Sequence, residues 1–249
     1  EAGYGPLDLV TDAPLKIGKW KPQNFSGTYE GPVTYEDAFV KSINTVAVRV
    51  AQQVGPRAVV AVAHRLGITE DLKPDLSLAL GSGEVTLLEM TSAYMPFANG
   101  GTAVLPYAIE AITDREGAPL YSREGEGLGQ VITPEALSVM NRMMSQVISR
   151  GTGKVAAFGY PAGGKTGTSS DFRDAWFMGY TADYVTSVWV GNDAGAGMKN
   201  VTGGGLPAHI WHDVMVAAHV GRAPRDLPGA EPQAAPDLIG RFWQALTGK

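Results

Sequence analysis

The sequence predicts an α+β fold in which an antiparallel sheet is flanked by helices and stands beside a helical lobe. Helix signatures dominate the first half of the chain, whereas two β-rich runs and a closing helix lie in the second half. Segregation of helices and strands in this way is typical of helices packed against an antiparallel sheet. With 249 residues, 44% of them hydrophobic, the chain is long enough to bury such a core.

The first half supplies the predicted helical lobe. Residues 1–33 are rich in Gly, Pro and aromatic side chains without a sustained period, which predicts an ordered loop region with a short strand near residues 15–17. Thr34 and Asp37 have the spacing of a capping box and predict a helical run that ends at Gly55. Residues 56–66 predict a second helix, which begins with proline and ends at a glycine.

The rest of the chain contains the predicted sheet and the helices that flank it. Each element is bounded by a capping or turn signal, or is rich in β-forming residues. The predicted elements are helix 86–97, strand 104–113, helix 133–148, strands 175–180 and 184–190, and helix 207–220. We predict one domain over residues 1–222, followed by a proline-rich linker with a short apolar tail over residues 223–249.

Composition excludes several classes of function. A net charge of −5 disfavours nucleic acid as a partner. No apolar run approaches the length of a membrane span. His209, His212 and His219 share a predicted helix, but no metal-binding pattern accompanies them, so we expect no metal site there.

The stretch richest in potential chemistry runs from Gly163 to Ser169 and reads Gly-Gly-Lys-Thr-Gly-Thr-Ser. Residues 159–166 match the phosphate-loop pattern, but that motif must open a helix, and strand signals follow instead. The favoured alternative puts Lys165 and Gly167 on a strand at the edge of the sheet, where the glycine leaves room for a substrate.

Two motifs and their surroundings carry a resemblance to a known family. Lys165-Thr-Gly167 and Ser42-Ile-Asn44 resemble, in the family's order, two of the three signature motifs of penicillin-binding proteins and serine β-lactamases. The flanking phrases Gly151-Thr-Gly153 and Asp174-Ala-Trp-Phe177 are similar to the transpeptidase domain of bifunctional class A penicillin-binding proteins. This likeness spans residues 8–220 and implies the penicillin-recognising α+β fold.

The resemblance gives roles to the strand residues. It implies that the charge of Lys165 holds a substrate carboxylate and that the hydroxyls of Thr166 and Thr168 bind the same group. It places the backbone amide of Thr168 in an oxyanion hole. Gly167 completes the motif as a substrate-binding position.

The resemblance also implies that Ser42 relays a proton and that Asn44 is an amide ligand of the substrate. The third motif, Ser-x-x-Lys, is missing, because no serine in the chain has a lysine three residues later. Gly3-Tyr-Gly-Pro6 resembles the turn that follows that motif, so we expect the nucleophilic serine to lie upstream, in a longer protein or on a second chain.

The implied activity is that of a D,D-transpeptidase that cross-links peptidoglycan outside the cytoplasm, in a parent protein anchored in the membrane. Its partners are a stem peptide ending in D-Ala-D-Ala, an amine acceptor and, as covalent inhibitors, β-lactams; no cofactor is needed. A D,D-carboxypeptidase or β-lactamase of the same superfamily remains an alternative, because short motifs do not determine the acceptor. A nucleotide-binding protein and a non-enzymatic scaffold are more distant alternatives.

Overall fold

A computed structural model describes residues 2–125 and 128–229. These residues form seven β-strands and six α-helices, in an order that begins with a hairpin and ends with a helix. In chain order they are β1 (Leu9–Asp12), β2 (Gly31–Thr34), α1 (Tyr35–Val40), α2 (Asn44–Val54), α3 (Pro56–Arg65), α4 (Leu87–Ala98), β3 (Ala111–Thr113), β4 (Pro119–Ser122), α5 (Pro134–Ser149), β5 (Gly163–Thr168), β6 (Asp174–Tyr180), β7 (Val185–Gly191) and α6 (Leu206–Ala218). The α+β class predicted from the sequence is confirmed.

The central sheet has three antiparallel strands in the order β5-β6-β7. Lys165 lies opposite Met178, which in turn lies opposite Ser187. Among the described residues β5 pairs on one side only, so the prediction that Lys165 lies on an edge strand is confirmed. An edge strand leaves one row of backbone amides and carbonyls open to a ligand.

Helices cover the sheet and supply the core. Trp211 of α6 and Phe177 of β6 are fully buried, with ring centroids 5.2 Å apart. On the other side Tyr180 stacks on Phe97 of α4 at 6.2 Å and donates a hydrogen bond to Asn141 of α5. These contacts fix the sheet against α4, α5 and α6, so the edge strand β5 has a rigid support.

The helix predicted to run without interruption to Gly55 is wrong in one respect, because the chain breaks it into α1 and α2 at residues 41–43. Ser42 has φ 57°, which is incompatible with a continuous right-handed helix. The capping-box spacing at Thr34 was informative, since its side chain accepts a hydrogen bond from the Asp37 amide. The predicted start is therefore correct and the predicted continuity is not.

Two strand predictions also differ from the structure. Residues 15–17 contribute only an isolated bridge between Ile17 and Trp20, whereas the actual strands β1 and β2 flank that region and pair with each other. The strand predicted over 104–113 is limited to its last three residues, which pair with β4. Both errors arise at strands of three or four residues, which are too short to show a clear hydrophobic alternation in the sequence.

The segment predicted to be a linker begins with residues that pack on the domain. Leu227 is 3% exposed and belongs to the cluster around Phe97 and Tyr180. Arg225 contacts Asp183 at 2.8 Å, and the Pro228 carbonyl accepts a hydrogen bond from Asn141. Residues 223–229 therefore stabilise the core, and the predicted apolar tail at 238–246 lies outside the described residues.

Within the described ranges, no helix is both long enough and apolar enough to cross a membrane.

Replacing Leu227 with alanine tests whether this segment belongs to the core. We expect Leu227→Ala to lower the free energy of unfolding by about 2 to 5 kcal/mol, because it opens a cavity among buried side chains. Val220→Ala is the matched control, since Val220 is 80% exposed and its loss should change stability by about 0.5 kcal/mol or less. Equal effects of the two substitutions in chemical denaturation would contradict the assignment.

Candidate active site

Ser42 lies at the turn between α1 and α2, held by the backbone. The Ile43 amide donates to the Ala38 carbonyl at 2.9 Å and the Ser42 amide to the Phe39 carbonyl at 3.1 Å. Together with φ 57° at Ser42, these bonds form a Schellman motif in which serine occupies the position that glycine usually takes. Ser42 therefore does not cap α2. The N-cap position of α2 is occupied by Ile43, whose side chain makes no capping hydrogen bond.

Lys165 reaches Ser42 from the other half of the domain. Its Nζ donates to Ser42 Oγ at 2.8 Å, across 123 residues of sequence, and to the Thr166 carbonyl at 3.1 Å. Burial lowers the pKa of Lys165 from 10.5 to about 8, because desolvation disfavours the ammonium. A lysine whose pKa is lowered to about 8, and whose amine contacts a serine hydroxyl, is suited to moving a proton as well as to holding an anion.

The open edge of β5 presents the amides of two predicted site residues. The Ser169 amide donates to the Asp174 carbonyl at 2.9 Å, continuing the ladder between β5 and β6. Because hydrogen-bonded pairs alternate in an antiparallel ladder, Lys165 and Gly167 bond to β6. The amides of Thr166 and Thr168 therefore point away from β6, toward the open edge. An amide in that position can donate to a carbonyl oxygen that becomes negatively charged.

A glycine loop closes one side of β5. The Gly203 amide donates to Thr168 Oγ1 at 3.0 Å. A Cβ atom on Gly203 would lie 2.3 Å from the Trp176 carbonyl oxygen and 2.8 Å from the Gly167 nitrogen, so this position accepts only glycine. A Cβ on Gly167 itself would meet Trp176 at an ordinary 3.4 Å. The packing thus explains Gly203, while a role of Gly167 in admitting substrate remains a prediction.

Thr152 is a residue that the sequence reasoning did not select. Its hydroxyl lies 2.7 Å from the hydroxyl of Thr166, and its amide donates to the Val40 carbonyl at 3.4 Å. It therefore contacts both the end of α1, two residues before Ser42, and the strand that carries Lys165. The Gly-Thr-Gly phrase at 151–153 was a usable signal, because two flanking glycines allow the close approach of other backbones.

Asn44 lies in the first turn of α2 but does not bond to Lys165. Its Nδ2 donates to the Gln23 carbonyl at 2.9 Å. The structure thus brings Ser42 and Lys165 into direct contact, places Thr166 and Thr168 beside them on β5, and fixes Asn44 through the preceding loop. The role of Asn44 as a substrate ligand stays a prediction.

Ion pairs hold the two halves of this site together. The buried carboxylate of Glu36, on α1, accepts from Arg142 at 2.7 Å and from Arg150 at 3.0 Å, both on or next to α5. Arg150 also contacts Asp37 at 2.7 Å, and its hydrogen bond holds the pKa of Asp37 below the ordinary value. Because α1 ends just before Ser42, these contacts fix the serine relative to α5.

The histidines of α6 and the residue after it serve local packing. The buried ring of His219 is bonded through both nitrogens, to the Thr181 hydroxyl at 3.0 Å and to the Met215 carbonyl at 2.8 Å. His212 pairs with Asp213. The residues that the structure describes contain no group of three or more His, Cys, Asp or Glu side chains arranged to hold a metal ion.

The phosphate-loop alternative does not fit the observed backbone. Lys165 lies in the middle of strand β5, and a short 3-10 turn and strand β6 follow it. A phosphate loop requires a helix N-terminus immediately after the lysine. The lysine instead faces the Ser42 turn.

Comparison with known proteins agrees with this geometry. Residues 5–215 match the family described as "Penicillin binding protein transpeptidase domain". Penicillin-binding protein 1A of Pseudomonas aeruginosa is 31% identical over 306 residues, covering 99% of this chain and 37% of that protein. The chain therefore spans little more than a third of the length of this relative.

Two solved structures have the same fold. Penicillin-binding protein 1A from Haemophilus influenzae matches with a TM-score of 0.84 and 25% identity, over 95% of this chain and 41% of that one. The PonA1 protein from Mycobacterium tuberculosis in complex with penicillin V matches with a TM-score of 0.80 and 27% identity, over 94% of this chain and 71% of that one.

The left-handed conformation of Ser42 has a measurable cost. Both Ser42→Gly and Ser42→Ala remove the hydroxyl, but only alanine keeps a Cβ in the αL region. We expect the glycine variant to be about 1 kcal/mol more stable than the alanine variant. At Ser145, in the middle of α5, the order should reverse by about 0.5 to 1 kcal/mol. The same order at both sites in chemical denaturation would contradict the turn geometry.

The lowered pKa of Lys165 predicts how stability depends on pH. Between about pH 8 and 10.5 the unfolded chain keeps the Lys165 proton while the folded chain loses it. Stability conferred by Lys165 should therefore rise with pH across this window. The measurement is the difference in unfolding free energy between the wild type and Lys165→Met from pH 7 to 10.5. A difference that stays constant would refute the desolvated lysine.

Proposed function

Because this chain belongs to the penicillin-binding protein transpeptidase family, we propose that it forms the acyl-transfer cleft of a D,D-transpeptidase that cross-links peptidoglycan. The observation that carries the proposal is the contact of Lys165 Nζ with Ser42 Oγ at 2.8 Å. This contact brings together, at the open edge of the sheet, two motifs that are far apart in the sequence. That edge offers backbone donors to a substrate carbonyl.

In this proposal the ammonium of Lys165 receives the terminal carboxylate of a D-Ala-D-Ala stem peptide. An ammonium has three donors, and the described contacts with Ser42 and Thr166 use two of them. The third is available to the carboxylate, along with the hydroxyls of Thr166 and Thr168. Two neutral hydroxyls and one charge suit an exposed carboxylate, since charge-assisted hydrogen bonds are the stronger ones.

In this proposal the nucleophile is the serine of a Ser-x-x-Lys motif outside this chain, because no serine within the chain has the lysine that would activate it. The lysine of the same Ser-x-x-Lys motif takes the proton of the serine hydroxyl, whose oxygen attacks the carbonyl of the penultimate D-Ala and forms an ester, while the C–N bond to the terminal D-Ala breaks. Ser42 passes this proton to the departing amine, and the ammonium of Lys165 places a positive charge next to the Ser42 hydroxyl. An amine acceptor then attacks the ester and regenerates the serine.

The amide of Thr168 faces the position where the carbonyl oxygen becomes negative. One donor of this kind typically contributes about 3 to 4 kcal/mol to the stability of the transition state. The Gly203 amide holds the Thr168 side chain at 3.0 Å, which fixes the direction of the neighbouring backbone. Asn44 binds an amide of the stem peptide through its side-chain oxygen, while its Nδ2 keeps the contact with the Gln23 carbonyl.

β-Lactams acylate the same serine, which is supported by the similarity to PonA1, a protein solved in complex with penicillin V. The substrate places the site on the outer side of the cytoplasmic membrane, with the longer protein anchored there by a segment outside this chain. The reaction needs no cofactor, because the proton of the serine hydroxyl goes to the departing amine and a proton of the acceptor amine returns to the serine oxygen.

Covalent labelling with benzylpenicillin tests the proposal. We expect the full-length protein to gain the mass of one benzylpenicilloyl group, and the 249-residue chain alone to gain none. A full-length variant with the upstream serine changed to alanine is the control and should stay unlabelled. Labelling of the chain alone, or no labelling of the full-length protein, would refute the proposed division of the site.

The fate of the acyl group separates the related activities. With a stem-peptide donor and an added amine acceptor, we expect the full-length protein to form the cross-linked amide. Release of the free acid alone would instead identify a carboxypeptidase.

A further inference from the structure

The start of α2 is capped by a residue from a distant loop. Its own N-cap, Ile43, has no side-chain acceptor, so the first amides of the helix need partners from elsewhere. Asn24 Oδ1 accepts the Thr45 amide at 3.1 Å, 21 residues along the chain. This contact does what a capping side chain does, from outside the helix.

Asn24 is itself fixed by a buried carboxylate. Its Nδ2 donates to Asp12 Oδ1 at 2.8 Å and to the Thr28 carbonyl at 2.9 Å. Asp12 is 1% exposed and also accepts from the Thr45 hydroxyl and from the Glu30 amide at 2.9 Å. Burial opposes ionisation of Asp12, but the hydrogen bonds from Thr45 and Asn24 outweigh it and hold its pKa below the ordinary value.

This network ends at the turn that carries Ser42. Gln23, the neighbour of Asn24, accepts the side-chain amide of Asn44 at 2.9 Å. The loop therefore holds two consecutive residues, Asn44 and Thr45, directly after the turn. The Schellman bonds hold the turn from the α1 side, and the loop holds it from the α2 side. Asn24 therefore supplies one of the side-chain contacts that hold the α2 side of the turn while Ser42 keeps its left-handed conformation.

We propose that Asn24 is a positioning residue for acyl transfer, and that Asp12 orients it: together they set the Ser42–Asn44 turn against Lys165. This inference rests on the proposed function and extends it to two residues outside the sequence motifs. Neither touches the substrate. A displacement of about 1 Å in a catalytic group costs on the order of a hundredfold in rate, so the effect is on the chemical step.

The test uses the full-length protein and benzylpenicillin, with the saturating acylation rate k2 and the binding constant Ks measured separately. We expect Asn24→Ala to lower k2 at least tenfold and to leave Ks within about twofold. Asn99→Ala is the matched control, because Asn99 is also a loop asparagine that bonds the backbone at both side-chain atoms, to Thr102, and lies outside the proposed site. It should lower the melting temperature without lowering k2.

A swap of the two side chains keeps the inference testable where Asn24→Ala fails to fold. Asn24→Asp removes the donor to Asp12 and sets two carboxylates side by side, whereas adding Asp12→Asn restores one donor and one acceptor between the two positions. We expect Asn24→Asp to lower k2 and the double variant to recover part of the loss.

Each outcome distinguishes the two proposals. A wild-type full-length protein that is never acylated overturns the proposed function, and this inference with it. Normal acylation of the wild type, with k2 unchanged in Asn24→Ala or, where that variant does not fold, in Asn24→Asp, overturns the positioning role alone. An equal loss of k2 in Asn99→Ala reduces the effect to general destabilisation and overturns it too.

Discussion

The hydrogen bond between Lys165 and Ser42 determines what the other parts of the domain must do. Its length of 2.8 Å requires that the turn after α1 and the strand β5 keep a fixed separation, although 123 residues lie between them. Three sets of contacts maintain that separation. The ion pairs of Glu36 hold α1 against α5, and Thr152 connects the end of α1 to β5. Asn24 connects the start of α2 to Asp12. Each set of contacts limits how far Ser42 and Lys165 can move apart.

The site costs stability, which the core must compensate. Ser42 occupies a backbone region that disfavours a Cβ, and Lys165 gives up hydration that an exposed lysine keeps. Neither the left-handed serine nor the desolvated lysine stabilises the fold, and strained groups of this kind are usual at functional sites. The compensation comes from dense packing elsewhere, above all around Trp211, Phe177 and Tyr180, which are fully buried.

The sequence predicts those parts of the fold that have strong local signals. Capping at Thr86 and Thr133, and β-branched runs beside aromatics in β6 and β7, define elements whose bounds the structure nearly reproduces. The break at Ser42 was missed, because a Schellman motif normally announces itself by glycine and here uses serine. Pairing of β1 with β2 was missed as well, since its register depends on contacts across 18 residues, such as Asp12 with the Glu30 amide.

The same distinction applies to the site. Lys165, Thr166 and Thr168 could be selected because their chemistry and their backbone requirements lie within one short stretch. Asn24 could not, because an asparagine in a proline-rich loop has an ordinary local explanation, and Thr152 had only the Gly-Thr-Gly phrase as a signal. Their importance arises only from tertiary contacts.

Contacts among the described residues provide partners for the groups of the site. Lys165 has Ser42 as a partner, Thr166 has Thr152, and Thr168 has the Gly203 amide. A site assembled in this way is preorganised, because its dipoles and its charge are held in position by contacts within the chain. The strained turn and the desolvated lysine are therefore properties of this chain itself.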